Sequence, residues 1–140
     1  MIGFLSDDDG EQVSDLHREA TVLKNNGDLG GAIDALRLAK WHLLKSSVSF
    51  SYNTWCRLAK VLQQAGYYDE AIVEFDFLLS DLERRLKKEL HFDNPAISVG
   101  APKDMALAES LKTNRALLWR ERRKLQKLEI KRRRKLAKSA

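Results

Sequence analysis

The stretch that decides the fold runs from Tyr52 to Glu83 and reads YNTWCRLAKVLQQAGYYDEAIVEFDFLLSDLE. Apolar residues fall at Trp55, Leu58, Ala59 and Leu62, then at Ala71, Ile72, Phe75, Leu78, Leu79 and Leu82. Both sets step by three and four, the spacing of a helix with one buried face. Between them stands Gln64-Ala65-Gly66-Tyr67-Tyr68-Asp69. Gly66 is suited to the left-handed conformation that ends a helix, and Asp69 is suited to cap the next one. Two helices joined by so short a turn are expected to lie antiparallel.

This unit resembles a tetratricopeptide repeat. Trp55, Leu58, Ala59 and Leu62 hold the first-helix positions of that family's pattern, Gly66 and Tyr68 the turn, and Ala71 and Phe75 the second helix. Three positions depart from it. Ala59 stands where Gly is common, Leu62 where an aromatic is common, and Glu83 where Pro is expected. Small residues at Ala59 and Ala71 let two helices approach closely, with Trp55 and Phe75 filling the space beside them. A second, weaker copy lies upstream. Leu16, Ala20, Leu23, Gly27, Leu29, Ala32, Ile33 and Leu36 match Trp55, Ala59, Leu62, Gly66, Tyr68, Ala71, Ile72 and Phe75, each pair thirty-nine residues apart. The family period is about thirty-four, so roughly five extra residues lie between the copies. The serine-rich stretch 46–51 is the place for them.

The expected architecture is all-α: tandem helical hairpins of a tetratricopeptide-like solenoid with a C-terminal capping helix. Residues 1–12 read as a flexible acidic lead-in, with Ser14 or Asp15 capping the first helix. Residues 13–45 and 52–91 are the two hairpins, with the last hairpin helix running from Asp69 without a stop to about His91. Residues 92–103, which carry both prolines, Pro95 and Pro102, form a loop. A last helix starts near Lys103 or Asp104. Leu107, Leu111 and Leu118 make 104–119 a cap on the fourth helix, and 120–140 continue as a basic helical tail. With 11 basic residues among the 19 from Arg120 to Lys138, this tail is not expected to join the core.

Charge is segregated. From Lys103 to Ala140 there are 14 basic and 4 acidic residues, against 11 and 16 in the rest of the chain. An acidic body with a basic tail points to a polyanionic partner. Arg120, Arg122, Arg123, Lys124, Lys127, Lys131, Arg132, Arg133, Arg134, Lys135 and Lys138 are the candidate polyanion-binding residues. Clustered cations of this kind bind RNA or DNA by neutralising phosphates and releasing counterions. Other readings remain open: an acidic protein surface, a nuclear-import patch at 131–135, or a solvated helix end favoured by the helix dipole. A membrane-surface helix is disfavoured, because Leu125, Leu128 and Leu136 are few anchors.

The repeat resemblance implies a non-enzymatic adaptor that binds a peptide or protein helix along its first helices. The matching groove positions are His17, Thr21, Lys24 and Asn25 in the first copy, and Asn53, Cys56, Lys60, Gln63 and Gln64 in the second. The alternative function is nucleic-acid binding, with the repeats serving for docking or oligomerisation. No catalytic motif is present, since phosphate loop, nucleophile elbow and paired-histidine zinc signatures are all missing. No metal or cofactor is expected, because His17, His42 and His91 are scattered. No run of residues reaches the length of a membrane span. The opening Met1-Ile2-Gly3-Phe4-Leu5 lacks the basic region of a signal peptide. A single cysteine, Cys56, suits a reducing compartment. The expected location is therefore intracellular, cytoplasmic or nuclear.

Overall fold

The structure is a computed structural model that describes residues 8–89 and 103–139. Those residues form six helices and no strand: α1 (Asp8–Asn25), α2 (Leu29–Lys45), α3 (Tyr52–Gln64), α4 (Tyr68–Ser80), α5 (Leu82–Glu89) and α6 (Lys103–Ser139). The fold is all-α. The chain divides into two compact units, Met1–Gly66 and Tyr67–Ala140. The division falls within the second predicted hairpin, so α3 is part of the first unit and α4 part of the second.

In the first unit α1 and α2 pack along one another, and α3 packs on α2. Val13, Leu16 and Ala20 of α1 and Ala32, Ile33, Leu36, Ala39 and Leu43 of α2 are buried. The turn between these helices ends α1 with Gly27 at φ +82°. Gly27 N–H donates to Lys24 O (3.0 Å) and Asp28 N–H to Leu23 O (2.8 Å), which satisfies the last carbonyls of the helix. Asp28 then caps α2 by accepting from Gly31 N–H at 2.8 Å. Ser51 caps α3 through Thr54 N–H.

The turn chemistry recurs thirty-nine residues on. Gly66 has φ +86°, and its N–H donates to Gln63 O at 3.0 Å as Gly27 N–H does to Lys24 O. Ala65 N–H to Val61 O repeats Asn26 N–H to Val22 O. The matched small residues Ala20 and Ala59, and Ala32 and Ala71, are all completely buried.

The first helix begins six residues before Ser14. Residues 8–12, expected in the lead-in, are its first turn; residues 1–7 lie outside the described set. Asp8, Asp9 and Glu11 suit that turn because the helix N-terminus is electropositive. Asp9 is also held at 2.8 Å from His42 Nδ1 of α2.

In the second unit the expected single long helix is two. It breaks at Asp81, whose backbone closes α4. The Asp81 carboxylate accepts from Arg84 Nε (2.7 Å) and Nη2 (2.8 Å) in the first turn of α5. Asp69 does not cap α4: the cap position is Tyr67, with no side-chain hydrogen bond. The buried stripe nevertheless passes through the break at Leu78, Leu82 and Leu86. Residues 92–102 of the expected proline-bearing loop, and Leu90, lie outside the described residues.

Helix α6 has 37 residues, about 55 Å at 1.5 Å per residue. It packs on α4 and α5. The packing does not stop at Trp119: Leu125 is fully buried and Glu129 is 4% exposed. The expectation that the basic tail stands clear of the core is therefore corrected over residues 120–129, whereas residues 130–139 are exposed. Arg122 pairs with Asp76 and Arg133 with Asp69, so α6 runs antiparallel to α4 over this segment. The Arg122 side chain is only 21% exposed while its charged end reaches Asp76.

Candidate functional site

Two surfaces carry the candidate residues, one in each unit. The first lies on α1 and α3. His17 is half-buried, and its ring and backbone meet an arginine that sequence reasoning did not single out. Arg57 Nη1 donates to His17 O at 2.7 Å and lies 3.3 Å from His17 Nδ1. Its Nη2 donates to Thr21 Oγ1 at 2.6 Å. Thr21 Oγ1 in turn donates to His17 O at 3.1 Å. Arg57 thus fastens α3 to the middle of α1. Burial, with the Arg57 charge beside it, holds the His17 pKa down to about 4. Its ring is neutral at pH 7 and accepts at Nδ1.

The remaining groove candidates divide by exposure. Lys24, Asn25, Asn53, Lys60 and Gln64 are exposed, and Gln63 is half-buried. Cys56 is completely buried, which removes it from the contact surface. It packs as a small apolar side chain. His17 and Thr21 are already engaged by Arg57, which leaves the lysines and amides as the exposed candidates of this surface.

The second surface is on α6, where the cations separate by face. Four have acidic partners, and two of these, Arg122 and Arg133, reach α4. Arg122 pairs with Asp76. Arg132 donates to Glu129 at 3.1 Å through Nε and Nη2. Arg133 donates to Glu129 at 2.8 Å and to Asp69 at 3.2 Å. Hydrogen bonds from Arg132, then from Arg133, hold the Glu129 carboxyl below its ordinary pKa. Lys124 lies 3.6 Å from Glu121.

Arg120, Arg123, Lys127, Lys131, Arg134 and Lys138 differ. At 3.6 residues per turn they share one stripe, opposite Leu118, Leu125 and Glu129. All six are exposed. None makes an ion pair among the described residues. Lys135 is exposed beside the stripe. The stripe runs over the 19 residues from Arg120 to Lys138, about 27 Å from first to last. Unpaired like charges at i,i+3 and i,i+4 repel one another along this stripe.

Leu128, Ile130 and Leu136 are exposed but point to three different sides of α6. They form no apolar face for a lipid surface. No helix of the described residues is long and apolar enough to cross a membrane. No group of three or more His, Cys, Asp or Glu among the described residues is placed to hold a metal ion. No protein-family model matches the chain, and neither a curated protein nor a solved structure does.

Proposed function

We propose that this chain is a non-enzymatic adaptor. Its tetratricopeptide-like helices take a protein partner, and α6 engages a polyanionic component of the same assembly. The observation that carries the reading is the six-cation stripe on the face of α6 turned away from the packed seam. Support for the repeat reading comes from the thirty-nine-residue recurrence of a left-handed glycine turn and of completely buried alanines. The groove reading rests on Lys24, Asn25, Asn53, Lys60 and Gln64, whose ammonium and amide groups suit carboxylates and peptide backbone.

A salt titration tests the polyanion half. On duplex DNA the log–log slope of affinity against salt is about −0.9 per neutralised phosphate. Replacing Arg120, Arg123 and Lys127 with Gln should flatten that slope by up to about three phosphates' worth and leave helicity unchanged. Replacing Arg122 and Arg133 should instead loosen α6 on α4, because those cations pair with Asp76 and Asp69. If full-length chain is retained on neither nucleic acid nor polyphosphate at low salt, the reading is wrong.

A further inference from the structure

We infer that the polyanion bound by α6 is single-stranded nucleic acid, with Trp119 as the platform on which an unpaired base stacks. This rests on the reading of α6 as a polyanion surface and narrows it to one class of ligand. Trp119 sits at the N-terminal end of the cation stripe and is 41% exposed. Arg115 and Arg123 flank it at i−4 and i+4, one helical turn to either side. A shallow depression along α6 is lined by Leu111, Lys112, Arg115, Ala116, Trp119 and Arg123. The small Ala116 leaves the space beside the indole open.

The indole is also held in place. The Arg122 guanidinium lies over its ring, 5.4 Å from the centroid, and Arg122 is itself fixed by Asp76 of α4. A prepositioned ring loses little freedom on binding. Simple charge neutralisation does not call for an exposed indole among cations. A duplex keeps its bases stacked inside and offers phosphates, which the stripe alone meets. A single strand offers phosphates and free base faces together, and a cationic track with an aromatic on it is the arrangement such strands bind. An acidic protein partner satisfies the cations and leaves Trp119 without a role.

The test uses the full chain and three probes at matched charge: oligo(dT), its duplex with oligo(dA), and inorganic polyphosphate. Binding is read by anisotropy competition across a salt series. Wild type should prefer oligo(dT). Trp119→Leu should weaken oligo(dT) by about tenfold, within the range for loss of one stacked base, with duplex and polyphosphate affinities and all salt slopes unchanged. Trp119→Phe, which keeps a ring, should retain most of the preference. A preference for duplex, or a Trp119→Leu effect that is nil or equal on all three probes, overturns the inference and leaves the polyanion reading standing. Failure of every probe to bind at low salt removes both.

Discussion

Leu125 is the residue on which the packing of α6 turns. It lies in the middle of the basic run yet is completely buried. Leu125→Ala removes three carbons. At about 0.8 kcal/mol per buried methylene the transfer loss alone is about 2.4 kcal/mol, and the residual cavity raises the total to about 3–5 kcal/mol. The ion pairs beside it cannot carry that load. Arg122–Asp76 and Arg133–Asp69 are partly or largely solvent-exposed, and exposed pairs contribute about 0–1 kcal/mol each. Leu136→Ala is the control, since Leu136 is 57% exposed and its truncation should cost within about 0.5 kcal/mol. Urea unfolding followed by circular dichroism gives the two values, and peptide-level hydrogen exchange reports on residues 120–133 directly. Leu125→Ala should abolish protection there, whereas Leu136→Ala should not. Equal, sub-kilocalorie effects from both substitutions would refute the antiparallel packing of α6 on α4.

The two left-handed turns should respond alike: Gly27→Ala and Gly66→Ala should each cost about 1–2 kcal/mol, because nothing crowds an added Cβ and the penalty is purely backbone. A neutral or stabilising result in denaturant unfolding at either position would contradict its positive φ. His17 should titrate near 4 by NMR in the folded chain, against about 6.5 unfolded. The unfolded state then binds more protons between those values, so stability should be full above about 6.5 and fall as the pH is lowered toward 4; His17→Gln should reduce that slope, and an unaltered slope would rule out a lowered His17 pKa in the folded chain.

What could be read from the sequence follows from how local each signal is. The limits of α2 and α3 and the shared geometry of Gly27 and Gly66 rest on residues within one turn of the helix end: Asp28, Ser51 and the glycines themselves. The break at Asp81 is equally local but was masked, because Leu78, Leu82 and Leu86 keep a four-residue step straight through it. Periodicity reports the buried face and is blind to a change of helix that preserves that face. The early start of α1 was masked in the opposite way. Asp8, Asp9 and Glu11 look like a solvated lead-in, yet acids are what a first turn favours. Arg57 escaped notice because its partners His17 and Thr21 lie 40 and 36 residues away, and no spacing rule connects them.

Helix α6 shows why composition misleads over a long segment. Averaged over 120–138, the residues read as solvent-facing. Separated by face, Leu118, Leu125 and Glu129 continue the seam begun at Leu107. Arginine at 122 and 133 is compatible with that seam because α4 supplies Asp76 and Asp69, seven residues apart and therefore on one side of it. The contrast between an acidic body and a basic C-terminal segment is thus partly internal complementarity, expressed between α4 and α6. Those pairs engage the seam-facing arginines and Glu129. They leave the opposite stripe, Arg120 to Lys138, with positive charge that no acid among the described residues meets. Charge used within the fold joins α6 to α4, and the charge on the far face is left to solvent among the described residues. The same helix therefore separates its paired from its unpaired cations by angle around its axis rather than by position along the chain.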